Sequence, residues 1–158
     1  MEKGYDIAQI CLNGHVANSS SLGYPQFNKV FCDECGKKTI TNCPNCENAI
    51  CGAYLDSMSL HYDIPKYCIH CGNTFPWTEG KIRAAYELAK EMSNLTEQER
   101  DILERSVEDL VNDTPSTPVA ITRFKKIMVK VGSDAAGLFK EILKDILDVI
   151  GNRVMISE

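Results

Sequence analysis

Eight cysteines and three histidines fall in the first 71 residues of this chain, and most are spaced as metal ligands. Cys32 and Cys35, Cys43 and Cys46, and Cys68 and Cys71 form three Cys-x-x-Cys pairs, while Cys11 and His15 form a Cys-x-x-x-His pair. A Cys-x-x-Cys turn sets two thiolates within reach of one tetrahedral ion, and two such turns complete a four-coordinate structural shell. Four pairs therefore predict two structural zinc ions. A thioredoxin-like redox motif would be a single pair opening a helix after a strand. Here three pairs recur in a Gly, Asn and Pro-punctuated region without helical periodicity, which favours metal.

The elements that must hold these pairs are short. Ile7 to His15 alternates loosely and ends in CLNGH, where Asn13 and Gly14 supply the turn that joins Cys11 to His15. Val16 to Gln26 reads as a Ser, Asn and Gly-rich loop. A repeat follows: Phe31, Cys-x-x-Cys, Gly36 and Thr39 match Tyr67, Cys-x-x-Cys, Gly72 and Thr74. Each Gly permits the positive φ that turns backbone amides toward sulfur. If each aromatic-led pair is the second knuckle of a unit, Cys11 and His15 join Cys32 and Cys35, and Cys43 and Cys46 join Cys68 and Cys71. The intervening stretches suit a small hairpin in each unit. A cross-braced, RING-like order is the competitor, although a RING sets its second and third pairs almost adjacent. His15 also has rivals, because Cys51 or His61 could complete the first site.

With its CxNGH, CxxCG, CPxC and CxxCG series and the sequence Phe75-Pro76-Trp77-Thr78-Glu79, the chain resembles tandem, rubredoxin-like zinc ribbons. It is also similar to an uncharacterised bacterial family known only as a domain of unknown function. The resemblance covers residues 5 to 79 and implies metal binding without an assigned activity.

Catalysis is not expected. A catalytic zinc keeps an open position with a general base beside it, and no H-E-x-x-H or H-x-E with P-C-x-x-C arrangement occurs. Cys51 has no partner at ligand spacing and reads as a small packed side chain. His61 and His70 lack a Ser or Asp constellation.

The net charge is −5; residues 1–78 contribute −2 and residues 79–158 contribute −3. By formal count, zinc with three thiolates and a histidine adds about −1, and zinc with four thiolates about −2. The N-terminal half therefore lacks the clustered positive charge that non-specific phosphate binding requires. The first residues, MEKGYDIAQI, show no apolar run of a signal peptide, and no segment is apolar over a bilayer's thickness. A cytoplasmic location with no membrane contact is expected, where clustered thiols stay reduced and hold metal.

From Thr78 the pattern turns helical. Thr78 reads as an N-cap ahead of Ile82, Ala85, Tyr86, Ala89 and Met92 at helical spacing. Thr96 to Glu99 forms a capping box before a second helix. Thr117 as N-cap with Pro118 opens a third, which Gly132 stops. A fourth follows Ser133 to about Ile150, and its apolar set from Leu138 to Ile150 is wider than one neighbour covers. Arg123, Lys126 and Lys130 form a basic patch on the third helix, a possible anion or nucleic-acid contact.

The expected fold is small, metal-stabilised α+β: a double zinc ribbon over residues 1–78 and a helical domain of about four helices over residues 79–158. The expected role is that of a non-catalytic adaptor or regulator working through a protein partner, or through a homo-oligomer joined by the C-terminal helices. A nucleic-acid-binding regulator is the alternative.

Overall fold

Five short strands precede four helices in the computed structural model, which describes residues 4–56 and 61–148. The chain divides into two compact units, Met1–Gly80 and Lys81–Glu158.

In the first unit, β1 (Tyr5–Ile7) pairs antiparallel with β5 (Cys51–Tyr54). Strand β2 (Gln9–Cys11) lies between β3 (Val16–Asn18) and β4 (Thr39–Ile40), both antiparallel to it. The residues around Val16 were expected to be loop. They form a strand because Ile10 pairs with Val16 and Gln9 with Asn18, and three residues are too few for an alternating pattern to show. Ile10 and Ile50 are buried with Phe75 and Trp77, whose rings stack at 4.7 Å. The Trp77 indole N–H donates to the Pro65 carbonyl at 2.8 Å, so the ring is satisfied as well as buried.

Helix α1 (Pro76–Glu91) begins two residues before the expected cap at Thr78. Pro76 takes the first helical position, where its missing N–H costs nothing, and the Phe75 carbonyl accepts from Thr78 and Glu79. Helix α2 (Glu97–Asn112) carries the expected capping box in full: Thr96 Oγ1 accepts from the Glu99 amide, and the Glu99 carboxylate accepts from the Thr96 amide. It ends at Asp113, in the left-handed conformation at φ 50°. In α3 (Thr117–Val131), Thr117 is the first helical residue instead of the cap. Its hydroxyl donates back to the Asp109 carbonyl at 3.0 Å and ties the turn to α2.

Helix α4 (Ser133–Ile142) stops at Leu143, short of the expected Ile150. Leu143 sits at φ −100°, ψ 11°, and residues 144–148 then resume a helical turn in which the Ile146 and Leu147 amides bond to the Leu143 carbonyl. Val149 and Ile150 lie outside the described residues. The break brings Phe139, Leu143 and Ile146 all into the helical core, with Ile142 and Leu147 half-buried against it. The wide apolar arc of this helix is thus covered within its own unit, with only Leu138 exposed among its described members.

Candidate metal centres

The eight predicted ligands converge into two groups of four. Cys11, His15, Cys32 and Cys35 form one, and Cys43, Cys46, Cys68 and Cys71 the other; within each group all ligand atoms lie within 4.8 Å of one another. The sequential order is the observed one, and neither Cys51 nor His61 enters a cluster.

Three of the cysteine pairs share one backbone scheme. The first cysteine's amide bonds to the carbonyl five residues on: Cys32 to Lys37, Cys43 to Asn48 and Cys68 to Asn73. Its carbonyl accepts from the residue after the second cysteine, which is Gly36, Glu47 or Gly72. That residue has positive φ in each case, at 70°, 61° and 72°. A bridge then closes each turn, Phe31 to Lys38, Asn42 to Ala49 and Tyr67 to Thr74. The partner of Thr74 in the repeat is therefore Lys38, one residue before the expected Thr39. The middle copy escaped the sequence pattern because Asn42 and Glu47 stand where the others have an aromatic residue and a glycine. Its signal was the constant spacing after the first cysteine.

Cys11 and His15 are brought together by a different turn. The Cys11 amide bonds to the His15 carbonyl at 2.9 Å, and the Gly14 amide to the Cys11 carbonyl at 2.8 Å. Gly14 has φ 92°, and a Cβ there would lie 2.8 Å from Cβ of Trp77, so both conformation and space demand glycine. The His15 amide donates to Cys11 Sγ at 3.2 Å, and the ring turns Nδ1 inward, 3.5 Å from Cys11 Sγ and 3.6 Å from Cys32 Sγ.

These distances test whether an ion fits. Around a tetrahedral centre with metal–sulfur bonds of about 2.3 Å and metal–nitrogen bonds of about 2.0 Å, sulfur–sulfur edges are about 3.8 Å and sulfur–nitrogen edges about 3.5 Å. Cys11 to Cys35 is 3.7 Å, Cys43 to Cys71 is 3.8 Å and Cys46 to Cys68 is 3.6 Å. A disulfide would close them to about 2.0 Å. Both sets fit a tetrahedral metal ion, one with three sulfurs and a nitrogen and one with four sulfurs.

Within each Cys-x-x-Cys the first sulfur is buried and the second is more open. Burial pushes the Cys11 thiol up and that of Cys68 up to about 11. The open sulfurs meet donors instead. The Lys37 and Asn73 amides pull Cys35 and Cys71 down, and the Asn48 side chain, 3.4 Å from the sulfur, leads in lowering Cys46 to about 6. The Asn13 and Asn45 side chains lower Cys35 and Cys71 further. These asparagines, of which sequence reading assigned only Asn13 a place, in a turn, lie as donors outside the sulfurs. On the far side of His15, Nε2 lies 3.9 Å from the Glu34 carboxylate.

Cys51 and His61 instead line a surface cavity of about 300 Å³ with Tyr5, Tyr54 and Tyr62. His61 Nε2 is 2.8 Å from Asp63 Oδ1 there. On α3, Arg123 and Lys126 are exposed, but Lys130 Nζ lies 2.6 and 2.7 Å from the two Glu99 carboxylate oxygens. That ammonium holds the Glu99 carboxyl below its ordinary value, and the predicted basic patch loses a member to it. No helix among the described residues is long and apolar enough to cross a membrane.

Short strands, three knuckles of one hydrogen-bond scheme and two tetrahedral Cys/His clusters ahead of four helices define a small α+β protein of zinc-ribbon-like type. The bacterial family described as "uncharacterized protein conserved in bacteria (DUF2321)" matches residues 4–154, and the chain belongs to it. No curated protein and no solved structure matches the chain.

Proposed function

We propose that this protein is a zinc-structured adaptor or regulator that works through protein–protein contact in the cytoplasm and catalyses no reaction. The observation that carries the reading is the closure of both clusters. Each supplies four protein atoms at tetrahedral spacing, so an ion there has no position left for water or substrate. Thiolate-rich tetrahedral sets suit zinc, and reduced thiols of this density persist in a reducing compartment. The two zinc ions are structural, and function falls to the surface they shape.

A nucleic-acid-binding role is the second reading, favoured by exposed Arg123 and Lys126 on α3. Against it stand the acidic balance of the chain and the engagement of Lys130 by Glu99. One pair of measurements separates the two. Elemental analysis should find two zinc per chain, and Cys32→Ser should leave one. Anisotropy titrations with random DNA and RNA should show nothing tighter than the weak non-specific range, about 10⁻⁴ to 10⁻⁶ M. Tight binding that falls steeply with salt and is lost in Lys126→Glu would replace the adaptor with the nucleic-acid regulator.

A further inference from the structure

Between β3 and the first knuckle the usual order of burial is inverted. Asp6 and Asn18, both buried, lie beneath the loop that follows β3. The Asp6 carboxylate accepts from the amides of Ile7 at 2.6 Å, Leu22 at 3.0 Å and Gly23 at 2.9 Å. The Asn18 amide donates to the Tyr24 carbonyl at 2.9 Å and to Asn28 Oδ1 at 2.7 Å, and its oxygen accepts from Ser20. Asn28 donates to the Ser21 carbonyl, and the Lys29 amide to Gln9 Oε1. A single 3₁₀ turn, Pro25–Phe27, completes the path. The backbone is thus held from inside by polar side chains at many points.

The apolar side chains of the same stretch face water. Leu22 is 58% exposed, Tyr24 58%, Phe27 60%, Val30 69% and Phe31 62%. A loop that only connected strands would expose polar groups and leave its backbone to solvent. This one is hydrogen-bonded into shape and turns outward the residues that folding ordinarily hides, with the Tyr24 and Phe27 rings 6.4 Å apart.

We infer that the loop Leu22–Phe31 is a self-association surface, and that its occupant is the same loop of a second copy of this chain. The inference rests on the protein-contact reading above and names its partner. Charge selects the occupant. The only charged residue from Asn18 to Phe31 is Lys29, whose Nζ is 2.7 Å from Asp33 Oδ2. Two copies related by a two-fold axis would therefore appose uncharged surface to uncharged surface, the self-complementary contact of a symmetric dimer. An anionic membrane or a phosphate backbone would find no unengaged cation in the loop. Area agrees. At these exposures the five side chains each present on the order of 100 Å², so two apposed copies bury about 1,000 Å², at the low end of specific interfaces. Such a dimer is weak and concentration-dependent.

The test is sedimentation velocity of the zinc-loaded full chain across a concentration series. A monomer–dimer equilibrium is expected, with Phe27→Asp and Val30→Asp each weakening dimerisation about tenfold or more. Val129→Asp, at an exposed position on α3, should leave it unchanged. Each variant is checked for two bound zinc ions. Should both loop variants lose metal, amide shifts of the wild-type chain on dilution decide instead: changes confined to residues 22–31 support the interface, and changes elsewhere or none overturn it. A chain monomeric at every concentration refutes the proposal, as does one that stays monomeric but co-sediments with phosphatidylcholine vesicles. A monomer that also ignores nucleic acid leaves the adaptor reading standing, whereas tight nucleic-acid binding removes that reading whatever the oligomeric state.

Discussion

In the first unit the buried apolar cluster is Ala8, Ile10, Ile50, Phe75 and Trp77, and two cysteines complete it. In the second, the cluster takes fifteen residues from all four helices, the α1–α2 loop at Leu95 and the turn after α4. The difference lies in what holds each unit together. The helices meet through continuous stripes such as Leu103, Val107, Leu110 and Val111 on α2 against Ala120, Phe124, Ile127 and Met128 on α3. The short strands of the first unit cannot bury that much, since each offers two to four residues. Knuckle hydrogen bonds and two clusters able to hold metal ions stand where apolar burial is small, the usual recourse of small domains. It also frees surface. A unit cross-linked by metal at these two centres would tolerate an outward apolar loop that a purely hydrophobic fold of that size would need inside.

Removing metal should break the comparison most sharply. Structural zinc contributes on the order of 10 kcal/mol or more per site in small metal-dependent folds. A strong chelator should therefore unfold residues 4–56 and 61–80, read as collapse of their amide dispersion, while resonances of α2 and α3 keep their positions. Loss of helical signal in step with chelation would show that the second unit also depends on the ions.

The converse experiment truncates the helical core. Phe139 is fully buried and meets Phe124 edge-to-face at 6.4 Å. Phe139→Ala should cost about 3–5 kcal/mol of helical-unit stability through lost transfer energy and the cavity left behind. The zinc count should stay at two per chain. A variant that loses both helical stability and metal would mean the units fold as one.

What the sequence disclosed follows the same division. Ligand pairing was legible because Cys-x-x-Cys spacing is short-range geometry and leaves few ways to build a tetrahedron. The capping box at Thr96 was legible for the same reason. Harder to read was whatever depended on distant partners. β3 forms because β2 lies beside it, and Pro76 starts α1 although Thr78 looks the better cap. Leu143 interrupts the last helix so that Phe139, Leu143 and Ile146 reach one core. Val16 to Gln26 was read as a loop from its serines, asparagines and glycine. Of these Asn18 and Ser21 are buried, and only the fold shows that Asp6 and Asn18 hold the loop backbone while Tyr24 and Phe27 face out.

The smallest effect compares the knuckles with one another. All three place one residue in the left-handed region, and only the middle copy puts a side chain there, Glu47 at φ 61°. That conformation costs a non-glycine residue about 1–2 kcal/mol, partly offset because glycine loses more backbone entropy on folding. The structure shows one compensation: Asn42 Nδ2 donates to the Glu47 carbonyl at 2.7 Å, from the position the other copies give to Phe31 and Tyr67. Glu47→Gly should then relieve net strain of about 0.5–1 kcal/mol, and because site formation and folding are coupled, the gain appears as roughly two- to fivefold tighter zinc at the four-cysteine site. Gly36→Ala and Gly72→Ala should move the other way by a similar factor. A Cβ at either meets nothing within 4 Å, so those changes report conformational strain without a clash. If Glu47→Gly instead loosens zinc, the Glu47 side chain contributes to the site, and the three knuckles are alike in hydrogen bonding but not in energy.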